Sequence, residues 1–137
     1  MESACCLIDS NTYKPIQSIK MENERVETVV SNVDYDVLVI EMIASYGMPV
    51  GKEIFETCVW IGRFKELAII KNKKVDYIYR KEEKINLCQS MKAKDSNIRQ
   101  ALIDRFGVVG TKKNPRLVLW IQERYLAGIC RRSYIFR

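Results

Sequence analysis

Read from the amino terminus, apolar and polar positions change period several times, and each change marks an element. Residues 4–9 (Ala-Cys-Cys-Leu-Ile-Asp) open as an apolar run and end in Asp9-Ser10-Asn11, a turn-forming cluster. They predict a buried strand, and Thr12–Met21 a second strand that completes a hairpin. Asn23 is placed to cap a helix over Glu24–Asn32, with acids in the first turn and Val26, Val29 and Val30 on one face. Val37-Leu38-Val39-Ile40 then gives four consecutive apolar residues before Glu41, the pattern of a central strand covered on both faces.

After a Ser45–Pro49 loop, Ile54, Cys58, Ile61 and Leu67 recur at helical spacing between Val50 and Ile70, and Phe55, Val59 and Phe64 widen the stripe. Asn72-Lys73-Lys74 breaks the pattern, and Val75–Arg80 alternates as a strand. Lys81–Cys88 fits a short helix, Gln89–Lys94 a basic loop. A last helix, capped by Asp95 or Ser96, runs through Phe106 to a stop at Gly107. The predicted order, β-β-α-β-α-β-α-α, indicates an α/β domain with a mixed sheet. The sheet is antiparallel at the hairpin and crosses over to parallel afterwards.

Beyond Gly110 local and global signals conflict. Leu117–Gly128 has no clean helical or strand phase, and Arg131–Arg137 reads as neither a cap nor a strand facing a core. This stretch is expected to pack poorly.

Composition narrows the functional classes. The 137 residues are 47% apolar and 29% charged, which excludes a disordered chain. No apolar run approaches the roughly 18 residues of a membrane span, and no signal segment opens the chain. Histidine is absent, which removes histidine zinc sites and every Ser-His or Cys-His catalytic arrangement. Cys5, Cys6, Cys58, Cys88 and Cys130 are odd in number and form no C-x-x-C pair, so free thiols in a reducing cytoplasm are expected. Neither a P-loop nor a G-x-G-x-x-G is present.

The formal charge of +6 suggests a nucleic-acid partner until it is located. Residues 1–109 carry 16 basic and 16 acidic side chains and are neutral. Residues 110–137 carry seven basic side chains against Glu123 alone, so the whole excess lies in the last 28 residues.

Glu41 is the foremost candidate for chemistry. Ligands of open α/β sheets gather outside the carboxyl ends of strands, where a carboxylate is placed for metal binding. The competing explanation is a solvated strand-end acid. Three blocks add to position: Asp36–Gly51 (DVLVIEMIASYGMPVG), Glu56–Phe64 (ETCVWIGRF) and Lys92–Gly107 (KAKDSNIRQALIDRFG). In this order they resemble the phage-type branch of RuvC-like Holliday junction endonucleases, over about residues 2–115. The resemblance implies a ribonuclease H-like fold and a homodimer that cuts branched DNA with Mg²⁺. In such a site acidic side chains gather two metal ions, which activate water for in-line attack on a phosphodiester. Glu41 matches the second acidic ligand of the family, serving as catalytic residue and metal ligand. Lys92, Lys94 and Arg99 match its basic segment and would lie along the phosphate backbone, although a solvated helix start has the same charge pattern.

Two departures from the family carry expectations of their own. The strand bearing the family's first acid, in an Asp-Pro-Gly-like context, would precede Glu2-Ser3-Ala4, and Asp9 at the hairpin end is no substitute. Without that strand the sheet is expected to lack its central member. The family closes with a Lys-Lys-Asp-x-Trp-x-Ala-x-Ala helix bearing its last acid, and nothing after Pro115 resembles it. A reading-frame slip accounts for this. If Leu117–Ile121 is written CTT-GTA-CTA-TGG-ATT, loss of one base gives TTG-TAC-TAT-GGA-TT, and the shifted frame can continue as LYYGFKKDIWQAFAVALTYF. Trp120 followed by Ile121 forces the Gly, and the Asp requires AGA or AGG at Arg124. Stops or unrelated residues in the shifted frame of the gene would dismiss the slip. The chain thus divides into an incomplete RuvC-like domain, 1–115, and an aberrant basic tail, 116–137. It is expected to be catalytically inactive, with weak Mg²⁺ binding, since one carboxylate cannot hold a metal pair. Two other classes stay open: a branched-DNA-binding module that does not cut, and a fragment forming half of a dimer through the Val50–Ile70 helix.

Overall fold

A computed structural model of the chain describes residues 1–9, 11–12, 15–107 and 133–136. Among these residues nine elements follow in the order β1 (Glu2–Ile8), β2 (Pro15–Glu22), α1 (Asn23–Asn32), β3 (Val37–Met42), α2 (Lys52–Ile70), β4 (Lys74–Tyr79), α3 (Arg80–Cys88), α4 (Asp95–Phe106) and β5 (Ser133–Phe136). The architecture is mixed α/β, as the periodicity predicts.

The β1–β2 hairpin turns on Asp9. Its carboxylate accepts hydrogen bonds from the backbone N–H groups of Asn11 (2.9 Å) and Thr12 (2.8 Å) and from the Thr12 hydroxyl (2.9 Å). Such an Asx-type turn explains why the apolar run ends where it does. The strands pair antiparallel from Glu2 opposite Glu22 to Ile8 opposite Pro15, with an irregularity between Leu7 and Ile8. Asn23 does not act as the cap that its position suggests. It is the first residue of α1, and its buried side-chain oxygen accepts a hydrogen bond from Ser3 Oγ at 2.7 Å. Its N–H donates to the Met1 carbonyl at 3.0 Å, so the start of α1 is fastened to the start of β1.

Strand β3 pairs parallel with β4, Val37 opposite Lys74 and Glu41 opposite Ile78, and α2 makes the crossover between them. Leu38, Val39 and Ile40 are consecutive and buried, with Leu38 and Ile40 in one apolar cluster and Val39 in another with Ile78. A strand apolar on both faces is what a position with cover on both sides requires.

Helices α1 and α2 pack together through Val26 and Val30 against Ile61, Phe64 and Ala68, all in the main core. At the rim Arg63 forks onto Glu27, at 2.6 Å and 2.8 Å, and stacks 4.1 Å from the Trp60 ring centre. Lys71 closes the other end of the contact. Its Nζ donates to the Val33 carbonyl at 2.6 Å and the Val30 carbonyl at 3.2 Å, meeting carbonyls that the last turn of α1 leaves unpaired.

The stripe read from the sequence overlaps the buried face of α2 only in part, through Ile61, Phe64 and Leu67. Ile61, Phe64 and Ala68 turn inward, while Phe55 (63% exposed), Cys58, Val59 (63%), Gly62 and Ile69 face outward. The error is one of phase: α2 carries apolar residues nearly all round, so periodicity alone selects no single face.

A second correction concerns the end of the chain. Ser133–Phe136, expected to avoid the sheet, form its central strand, in the order β2-β1-β5-β3-β4. β5 runs antiparallel to β1, Cys5 opposite Phe136 and Ile8 opposite Ser133. It runs parallel to β3, Val37 opposite Ser133 and Ile40 opposite Phe136. The expectation for Leu117–Arg132 and Arg137 lies outside the described residues.

Candidate acidic site at the end of β3

Glu41 is the penultimate residue of β3 and only 5% exposed. The competing picture of a freely solvated strand-end acid therefore fails on burial. Its place follows from local sequence. Four apolar residues carry β3 through the core, and the parallel register delivers the carboxylate to the carboxyl end of the β3–β4 pair. There β4 passes straight into α3, Tyr79 being the last strand residue and Arg80 the first of the helix.

Arg80 organises this end of the sheet. Its Nη1 donates to Glu83 Oε2 at 2.9 Å, and its Nη2 to Asp95 Oδ1 at 2.9 Å. Glu83 is 1% exposed and lies three residues along the same helix, one turn away. Asp95 is the first residue of α4, so one guanidinium ties the second helix junction to the first. Burial works to lower the Arg80 pKa. The hydrogen bond to Asp95, with the fields of Glu83 and Glu41, outweighs it, and the pKa is raised above that of an ordinary arginine. Arg80 is therefore a fixed cation among three carboxylates: Glu41 from β3, Glu83 from α3 and Asp95 from α4.

Both helix starts are closed by their own side chains. Glu82 accepts from the Tyr79 N–H at 2.7 Å, and Asn97 accepts from the Lys94 N–H at 2.9 Å. The latter makes Lys94 the cap position of α4, one residue before the expected Asp95 or Ser96. Lys92 and Lys94 are exposed on either side of buried Ala93, and Arg99 is exposed on α4. The bridge from Arg80 to Asp95 thus fastens the residue next to Lys94 to the end of β4, the strand paired with the one that carries Glu41. Three predicted site residues form one basic segment on and before α4, while Glu41 stands apart in the sheet.

Sequence reasoning missed Arg80, Glu83 and Asp95. The i,i+3 spacing of Arg80 and Glu83 is visible as a helical ion pair. Their meeting with Glu41 and Asp95 depends on topology and leaves no local trace.

A pair of Mg²⁺ ions needs several hard anionic donors that retain water. Among the described residues no group of three or more Asp, Glu, Cys or His side chains is disposed to hold a metal ion. Glu83 and Asp95 each direct an oxygen to Arg80, and Glu41 contributes a single carboxylate. The described residues do not by themselves fit a two-metal centre.

Cys5, Cys6, Cys58 and Cys88 are all free thiols, and Cys130 lies outside the described residues. No helix among the described residues is long and apolar enough to cross a membrane. A scan of the chain against protein-family models gives no match, and a search of curated proteins gives none either.

Proposed function

We propose that this chain is a member or fragment of the RuvC-like junction endonuclease family with a ribonuclease H-like fold, engaging branched DNA without cutting it. The observation that carries the reading is the buried Glu41 at the carboxyl end of a parallel strand, matching the family's second acidic ligand. The mixed sheet, antiparallel at the hairpin and parallel at β3–β4, is compatible with that fold. DNA would lie along Lys92, Lys94 and Arg99, whose cations replace condensed counterions on the phosphates. Cleavage is not expected, because nothing after Pro115 resembles the family helix that bears its last acid, and the metal pair needs several carboxylates.

The family resemblance also implies a homodimer, and one observation favours α2 as its seat. The outward face of that helix exposes Phe55, Val59, Ile69 and Ile70, on the side away from the core. A helix apolar on both faces suits burial on both.

The test compares a four-way junction with linear duplex of the same length, across a salt series, with and without Mg²⁺. Tighter, salt-dependent binding of the junction with no strand scission is expected. Equal affinity for both DNAs would sink the branched-DNA reading, and robust Mg²⁺-dependent cleavage would overturn the claim of inactivity. Light scattering on the free chain tests the dimer, which Phe55→Glu should disperse.

A further inference from the structure

We infer that the centre of the sheet is a strand-exchange site, in which Ser133–Phe136 of one copy seats between β1 and β3 of a second copy. Three features of the fold lead there. First, among the described strands only β5 has sheet neighbours that both lie more than 90 residues away in sequence. Twenty-five residues, 108–132, separate it from Gly107, and a chain of that length spans up to about 80 Å when extended. It can reach its own sheet or a neighbour's.

Second, β5 is held by strand pairing. It packs on β1 and β3, and no helix packs on it to a comparable extent among the described residues. The β1–β2 ladder, the β3–β4 ladder and the α1–α2 contact are complete without it. On departure of β5, β1 would keep its ladder with β2 and β3 its ladder with β4.

Third, its departure would open two facing edges at once. A single unpaired edge already templates pairing with another chain, and a slot with two edges does so on both sides. Even when seated, β5 covers Cys5–Ile8 and Val37–Ile40 alone. On the sides that face β5, Glu2–Ala4 and Glu41–Met42 continue past it with no described strand paired to them, while β2 and β4 pair with their other sides. The slot is also selective in chemistry. Leu38 and Ile40 face one apolar cluster and Val39 the other, so an occupant must be apolar on both faces, as Tyr134-Ile135-Phe136 is by composition. The same strand from a second copy satisfies the same register, which is the usual condition for exchange of an element between protomers.

Cys5 lies opposite Phe136, and Cys6 opposite Ile135. Directly opposed antiparallel residues have Cα separations within the range of a disulfide, and adjacent positions sample both pair types. One copy keeps Cys5 as its sole cysteine, the others being replaced by Ser. A second carries Phe136→Cys with all five native cysteines replaced by Ser. Mixed at high concentration under mild oxidation, the two should yield a reducible covalent heterodimer of twice the 16.0 kDa chain mass. A chain holding both Cys5 and Phe136→Cys that closes only on itself, with no heterodimer from the mixture, would overturn the exchange. If neither species forms, and the Cys6 with Ile135→Cys pair also fails, the seating of β5 opposite β1 is itself overturned.

Discussion

Arg80 bridges Glu83 and Asp95 and lies in the field of Glu41. Removing it leaves Glu83, 1% exposed, without its guanidinium. Loss of one partner of a buried ion pair typically costs about 3–5 kcal/mol, and the partial exposure of Arg80 places the expected loss near the lower figure. Urea unfolding of Arg80→Gln should show it. Adding Glu83→Gln should restore part of the loss, with a coupling above about 1 kcal/mol in the double-mutant cycle. Additive single effects would mean that the pair is not coupled.

Cys5, Cys6 and Tyr35 set a second expectation, at alkaline pH. Burial pushes the Cys5 thiol up to about 12 from an ordinary 9.0, and the Tyr35 hydroxyl to about 12 from 10.0. Burial, followed by the proximity of Cys5, raises Cys6 to about 12 as well. Between about pH 9 and 12 the unfolded chain loses these protons while the folded chain keeps them. Stability should therefore be unaffected by them below pH 9 and fall as pH rises through that window. The slope is at most about 1.4 kcal/mol per pH unit for each group. Denaturant titrations at pH 8, 9.5 and 11 measure it, and Tyr35→Phe should make the fall shallower.

At the scale of elements, α2 separates packing from exposure within one helix. Phe64, 2% exposed, belongs to the core with Val26, Val30 and Leu38. Phe64→Ala should cost about 3–5 kcal/mol through lost burial and a cavity. Phe55→Ala, one helical face away, should change monomer stability by no more than about 0.5 kcal/mol. Equal effects in thermal or denaturant unfolding would show that the inward and outward faces are wrongly assigned. The contrast also explains what the sequence can convey about α2. A run carrying Ile54, Phe55, Cys58, Val59, Ile61, Phe64 and Leu67 announces a helix clearly and hides which residues face the core. β3 is legible for the opposite reason, since a run buried on both faces has no phase to mistake. Caps are less legible, because Asn23 serves a tertiary contact with Ser3 that its neighbours in sequence do not reveal.

Across the whole molecule, what is illegible is what is non-local. The β1–β2 hairpin, joined by a turn of a few residues, can be read from its turn cluster and the strands that flank it. β5 cannot, because its three apolar residues sit between arginines and its partners are more than 90 positions away. The acidic site divides in the same way. Glu41 stands out by position, whereas Arg80, Glu83 and Asp95 acquire meaning only when β4, α3 and α4 are brought to one end of the sheet. Charge behaves likewise at this scale. Residues 1–109 are neutral, so long-range attraction of DNA to that part of the chain is weak, and binding should depend on local contacts at Lys92, Lys94 and Arg99. Replacing all three by Ala should flatten the dependence of log affinity on log salt by about 2–3, close to one for each phosphate no longer neutralised. An unchanged slope would place the DNA elsewhere.

Gly62 lies midway along α2, on the outward side, and a methyl group added there would meet no atom of the described residues within 4 Å. Within a single copy, then, no packing among the described residues calls for this glycine. Alanine should make the isolated chain about 1 kcal/mol more stable, through helix propensity alone. A bare backbone at the middle of an apolar stripe has a different use, since it lets another helix come closer than any side chain would allow. Gly62→Ala would separate the two demands in one substitution: a higher melting temperature together with weaker self-association would identify α2 as a surface shaped for company rather than for solitude.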